Sequence, residues 1–271
     1  MRATSQASLD AAGERWEPVL TEAGSGAFAL GRELFDVVEV LDSSVQLRRA
    51  LTDPSRDGEH KAGLASDLFG SKVSGSVLDL LSGIARDRWS DGDDLADALA
   101  ALAIDSVLAA AQAEDNLEQV EEEVFRVSRV LADNRELRLA LADSTRSVTD
   151  RQTLLTSVFG DQVSPQTGEL LQRSLGSARY TSLAAALHTI NEMGAKRRRR
   201  LVAVVTAATP LTEAQVRRLG EILTRSYGRK VQINVAVDPQ VVGGMKIQIG
   251  DDVVDATTLG RLDEARRRLA G

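Results

Sequence analysis

The stretch Val231–Asp255, VQINVAVDPQVVGGMKIQIGDDVVD, decides how the C-terminal part of this chain folds. Val231, Ile233, Val235 and Val237 alternate with Gln232, Asn234 and Ala236, which is the period of a half-buried strand. Asp238-Pro239 ends that strand, because proline brings no ladder donor and restricts the residue before it. Gly243-Gly244 gives the backbone freedom for a reversal, and Met245, Ile247 and Ile249 then resume alternation with Lys246 and Gln248. Gly250-Asp251-Asp252 turns the chain into Val253-Val254. The pattern predicts a small antiparallel sheet with one apolar face.

The flanks complete an α/β unit. Leu201–Val205 is a continuous apolar run, which predicts a strand buried on both faces. Thr212 and Gln215 have capping-box spacing, followed by Val216, Leu219, Ile222 and Leu223 at helical intervals as far as Gly228. Thr258 is placed to cap a last helix with Leu259, Leu262, Ala265 and Leu269 on one face. Arg266, Arg267 and Arg268 sit in its final turns, where cations suit the helix dipole. The expected order is strand, helix, strand, hairpin, helix.

Upstream, the sequence is helical in pattern and repeats itself. A shift of 90 positions aligns Phe35–Leu81 with Phe125–Leu171, and 17 of the 47 aligned residues are identical. Leu47-Arg48, Ala50-Leu51 and Asp53 recur as Leu137-Arg138, Ala140-Leu141 and Asp143; Phe69-Gly70 and Val73-Ser74 recur as Phe159-Gly160 and Val163-Ser164. Arg88-Trp89 is answered by Arg179-Tyr180, one residue out of register. A period this long marks a duplicated domain rather than a solenoid. The fold class predicted is mainly α: two tandem helical bundles, residues 1–103 and 104–198, then a small α/β domain, residues 199–271.

Composition narrows the function. The absence of cysteine excludes disulfides, thiolate catalysis and cysteine-held metals. No apolar run reaches the roughly 20 residues of a membrane helix, and the opening MRATSQASLDAAGERWEPVL has no apolar signal core, so an intracellular protein is expected. The net charge of −7 divides unevenly, with 15 basic and 8 acidic residues from Lys196 onward and 18 basic and 32 acidic before it. Such halves suit different partners.

Catalytic motifs are missing. His60 and His188 are not at equivalent places in the repeat, and neither a phosphate-binding G-x-x-x-x-G-K-[ST] nor a G-x-S-x-G elbow occurs. Neither catalytic residues nor a cofactor or metal is expected. Lys196–Arg200, KRRRR, reads as a solvated helix end before as a partner contact; nucleic acid also demands broad phosphate neutralisation, which an acidic chain with 3% aromatics does not offer. A nucleic-acid-binding or adaptor role for the basic C-terminal region is the alternative reading.

Taken together, Thr206–Thr212 (TAATPLT), Val237-Asp238-Pro239, Gly243–Ile247 (GGMKI), Gly250-Asp251 and Val254-Asp255 resemble the C-terminal region of the delta subunit of bacterial ATP synthase, the oligomycin-sensitivity-conferring protein family. Where that family often has Asp-Gly-Ser, this chain has Asp255-Ala256-Thr257. Leu47–Pro54, Lys61 and Leu64–Gly70, and again Leu137–Asp143, Arg151 and Leu154–Gly160, resemble its N-terminal six-helix bundle. Two such bundles resemble the enlarged actinobacterial form. The resemblance implies a non-catalytic stator subunit in the peripheral stalk, held at the cytoplasmic face of the membrane through the complex. It implies an apolar groove for the N-terminal helix of an alpha subunit, between the helix of Ile104, Val107, Ala110 and Ala111 and the helix of Leu171. It also implies that the C-terminal unit, with Gly243, Gly244 and Arg266 as candidate contacts, binds subunit b, so that the catalytic head does not turn with the rotor.

Overall fold

A computed structural model of the chain describes residues 1–198, 201–227, 231–239, 241, 244–249 and 252–255. The chain divides into two compact units, Met1–Arg197 and Arg198–Gly271. The first is built from α1 (Ala3–Ala23), α2 (Ala27–Ser43), α3 (Val45–Thr52), α4 (Gly58–Phe69), α5 (Gly75–Arg86), α6 (Gly92–Ala113), α7 (Leu117–Asp133), α8 (Arg135–Ala142), α9 (Val148–Phe159), α10 (Pro165–Ser174) and α11 (Leu183–Arg198).

The sequence repeat is a structural repeat. Helices α2, α3 and α4, of 17, 8 and 12 residues, recur as α7, α8 and α9 with the same lengths. Equivalent side chains set the equivalent breaks. Ser44 caps α3 by accepting from the Leu47 N–H, and Asn134 caps α8 by accepting from the Leu137 N–H. Arg48 donates to the last carbonyls of α2, those of Leu41 and Asp42; Arg138 does the same to Leu131 and Ala132 of α7. Asp53 accepts from the N–H and hydroxyl of Ser55, and Asp143 from those of Thr145, so each forms the same turn. Glu33 accepts the Ser74 N–H at the start of α5 and Glu123 the Ser164 N–H at the start of α10, at 2.7 and 2.8 Å.

Helix α6 belongs to both repeats. It follows α1–α5 as a sixth helix, and by the 90-residue shift it stands where α1 stands, as the first helix of the second repeat. The equivalent residues Trp16 and Ser106 touch: the Trp16 indole N–H donates to the Ser106 hydroxyl at 2.8 Å, and that hydroxyl donates to the Leu102 carbonyl. Fifteen of the 22 residues of α6 are buried, as a helix apolar on nearly every side must be. Its alanines let neighbours come close; a Cβ added to Gly31 of α2 would lie 2.9 Å from Val107 and 3.1 Å from the Ala103 carbonyl oxygen. One continuous core joins Ala12 and Trp16 of α1 to Leu187 and Ile190 of α11. The 103/104 boundary read from the sequence falls in the middle of α6.

The end of α11 is tied into this unit by charge. Arg197 lies 2.6 Å from Glu17 of α1 and 2.9 Å from Asp105 of α6, with all three side chains at most 13% exposed. Burial opposes the guanidinium charge, but Asp105 and Glu17 more than offset it and raise its pKa. Only Lys196 and Arg198 of the described part of the basic run face solvent. The solvated helix end expected there is corrected at Arg197, which the two carboxylates draw inward. Removing one partner of such a buried cluster costs about 3–5 kcal/mol.

The second unit holds β1 (Leu201–Ala207), α12 (Glu213–Tyr227), β2 (Val231–Val237), β3 (Met245–Ile249) and β4 (Asp252–Asp255). The sheet order is β2-β1-β3-β4. β1 runs parallel to β2 and antiparallel to β3, while β3 and β4 form the expected hairpin. The sheet is therefore mixed, not antiparallel throughout: α12 is a crossover long enough to return the chain parallel to β1, which then separates β2 from β3. β1 is also buried on one face only, with Ala203, Val205 and Ala207 inside and Val204 40% exposed. The capping box forms as read, with Thr212 N–H to Gln215 Oε1 at 2.8 Å and Gln215 N–H to Thr212 Oγ1 at 3.3 Å. Gly244 has φ +81°, the left-handed backbone that the reversal needs. Gly228, Gly243, Arg266 and the last helix from Thr258 lie outside the described residues.

Two helical glycines give a paired test of the packing on α6. Gly31→Val is expected to destabilise by about 1–3 kcal/mol through overpacking. Gly13→Ala, with nothing within 4 Å of the new Cβ, is expected to stabilise by about 0.5–1 kcal/mol. Urea midpoints measure both, and a tolerated Gly31→Val would contradict the close α2–α6 approach.

Candidate partner-binding site

The residues that start α10 are local, and a distant carboxylate anchors it. Pro165 takes the first turn of α10, where its missing N–H is no loss, and Ser164 accepts from the Thr167 N–H. Glu123 of α7 anchors that end, its Oε2 accepting from the Ser164 N–H and hydroxyl at 2.8 Å each and from the Thr167 hydroxyl at 2.6 Å. Burial alone would raise the Glu123 pKa, but the hydroxyls of Thr167 and Ser164, the Gln119 amide and the Ser164 N–H hold it below the usual range.

The structure brings the predicted groove residues together and buries them all. Ile104, Val107, Ala110 and Ala111 of α6 are at most 3% exposed, and Leu171 of α10 is 1% exposed. Along α6 the space is taken by α2 of the first repeat. Arg173 of α10 holds α2 there, with ion pairs to Asp36 at 2.7 Å and Glu39 at 2.6 Å, a third to Glu169 at 2.8 Å, and its guanidinium 5.5 Å above the Phe35 ring. Arg179 grips Asp42 with both terminal nitrogens at 2.6 and 2.7 Å and lies 3.1 Å from Asp97 of α6. Burial works against both arginine charges, yet their acidic partners, Glu169 and Asp36 for Arg173 and Asp42 for Arg179, raise both pKa values. The cations belong to the second repeat, while Asp36, Glu39 and Asp42 belong to the first. Sequence reasoning missed this clamp. Its signal was present in the repeat, where Asp36 and Glu39 are answered by residues of opposite sign, Arg126 and Arg129.

Beside α10 a cleft of about 400 Å³ stays open, lined among others by Phe28 and Arg32 of α2, Phe159 of α9, and Pro165, Gly168 and Leu171 of α10. Gly168 leaves room on its wall. A Cβ there would meet nothing within 4 Å, whereas the first repeat has Leu78 at that position, packed on the core. Among the described residues no group of three or more His, Cys, Asp or Glu could hold a metal. His60 is exposed, and His188 lies exposed beside Glu192. No helix of the described residues is long and apolar enough to cross a membrane.

Comparison with known proteins decides the family. The profile of the ATP synthase delta (OSCP) subunit matches residues 104–269. The chain belongs to the ATP synthase delta (OSCP) family. It is 53% identical to the ATP synthase subunit delta of Beutenbergia cavernae over the whole of both chains, 42% identical to that of Streptomyces griseus and 38% to that of Thermobifida fusca, again over the whole of each. These actinobacterial relatives share the enlarged form, including residues 1–103 that the family profile does not reach. A chain of the Toxoplasma gondii mitochondrial ATP synthase hexamer also matches, at 17% identity and a TM-score of 0.29 over 62% of this chain and 95% of that one. That score carries no structural argument.

The anchor at Glu123 makes an acid-dependent prediction. Glu123→Gln is expected to cost about 1.5–3 kcal/mol near neutral pH, the range for hydrogen bonds to a charged group. The folded carboxyl titrates below its unfolded value of about 4.3, so this stability is present above that pH and is lost as pH falls through the lower folded value. Wild type and variant should converge in acid. Denaturant titrations that show a constant difference from neutral pH into acid would contradict the role of the carboxylate.

Proposed function

We propose that this protein is the stator link of its ATP synthase, joining the catalytic head to the peripheral stalk at the cytoplasmic face of the membrane and resisting rotor torque. Residues 104–198 receive the N-terminal helix of an alpha subunit, residues 199–271 bind subunit b, and residues 1–103 brace the receiving bundle. The observation that carries this reading is the division of a delta-family chain into two units, each with its own core. Opposite charge balances in the two parts of the sequence support it further. The nucleic-acid reading loses ground, because Arg197 of the basic run is committed to Glu17 and Asp105.

With α2 lying along α6, the alpha contact is best assigned to the cleft around Gly168 and Leu171. Gly168→Leu copies Leu78 of the first repeat, fills the cleft and raises helix propensity by about 1 kcal/mol. Isothermal titration of the head is expected to show at least a tenfold weaker association, about 1.4 kcal/mol, with the thermal midpoint unchanged or raised. Undiminished affinity would remove the cleft from the contact. Deleting residues 201–271 should abolish binding to subunit b while the helical CD signal of the first unit persists. Normal b binding by the truncated chain would contradict the assignment of that unit.

A further inference from the structure

The internal repeat shows one surface in two states. Phe35, Asp36 and Glu39 of α2 are answered on α7 by Phe125, Arg126 and Arg129. Phe35 is 7% exposed, with Arg173 of α10 over its ring; Phe125 is 56% exposed. Asp36 and Glu39, 66% and 69% exposed at their side chains, are each ion-paired with Arg173, whereas Arg126 and Arg129, also exposed, make no ion pair among the described residues. Val130, 38% exposed, adds apolar area one turn beyond Arg126, as its equivalent Val40, 45% exposed, does on α2. The aromatic ring that the first repeat covers against Arg173 thus recurs in the second repeat uncovered, with flanking charges of the opposite sign.

We infer that the α7 face around Phe125, Arg126 and Arg129 is a docking surface for an acidic amphipathic helix of another subunit of the complex. The pairing already seen on α2 sets the chemistry. There an aromatic ring seats against a neighbouring helix, and a cation from that helix meets two carboxylates. On α7 the flanking charges are reversed, so the occupant must bring carboxylates where α10 brings Arg173. Aromatic and arginine side chains together are what interface centres concentrate, and the arginine stems widen the apolar seat. Another molecule of this chain does not fit. Its free equivalent of α10 is α5, where Gly83 stands in place of Arg173 and Asp79 in place of Glu169. Asp79 would then face Glu122, which answers Arg32, and two like charges would meet. Nucleic acid is disfavoured by Glu118, Glu122 and Asp133 on the same helix.

This inference rests on the proposed place of the chain within a multi-subunit complex, and the test separates the two. Benzoylphenylalanine replaces Phe125 in the full chain, the assembled ATP synthase is purified and irradiated, and crosslinked peptides are mapped by mass spectrometry. The expected product joins residue 125 to a helical segment of another subunit that carries two or more carboxylates within about two turns. Combining R126E with R129E is expected to lower the yield roughly fivefold, as a loss of about 1 kcal/mol does, without lowering recovery of the chain in the complex. Recovery in the complex with no crosslink from residue 125, nor from the same probe at residue 129, overturns the inference while leaving the stator reading intact. A crosslink to a second molecule of this chain, to a segment without carboxylates, or one insensitive to the charge reversal also overturns it. Failure of the unaltered chain to purify with the complex would instead count against the stator reading.

Discussion

Burying α6 on almost every side is the constraint on which the helical unit depends. A single 22-residue helix, rich in alanine and with fifteen buried residues, closes the first bundle and opens the second. It can do so only if neighbours approach from several directions at once, which small side chains permit and larger ones would prevent. Gly31 on α2, Trp16 on α1 and Arg197 on α11 all reach the stretch of α6 between Ala103 and Val107. The duplication is consequently not two beads on a string; it is two bundles sharing a member. Charge then fixes the orientation, since Arg173 and Arg179 of the second repeat meet carboxylates supplied by the first. Partly exposed ion pairs of this kind add little stability singly, but they specify which faces meet.

Much of this was legible locally. The capping box at Thr212 and the β3–β4 hairpin follow from residues close in sequence, and the repeat from a plain 90-residue shift. What escaped was non-local. Nothing near Leu201 says that its strand lies between two others, so the sheet was read as antiparallel and β1 as doubly buried. The 103/104 boundary lies inside α6, because the Ala-rich stretch before Ile104 continues the same helix back to Gly92. Arg197 sits in a run whose composition suggests solvent, and only the distant Glu17 and Asp105 turn it inward. The open cleft is a case where comparing repeats informs more than either alone, because Gly168 matters through the leucine it replaces.

The same features bear on the proposed stator role, in which the chain would be held at two places. The family is one of ATP synthase subunits. A helix common to two bundles removes the linker at which a hinge would otherwise form, and under the proposed stator role that stiffness would serve to carry load.

The claim that the two bundles act as one body is tested most directly by equilibrium unfolding of residues 1–197. Both tryptophans, Trp16 and Trp89, lie in the first repeat, so their fluorescence reports that bundle, while far-UV circular dichroism reports all eleven helices of the unit. A shared α6 predicts one urea transition with coincident midpoints for the two probes. Separated midpoints, with the fluorescence change complete while substantial helix remains or the reverse, would show two independent domains and contradict the account.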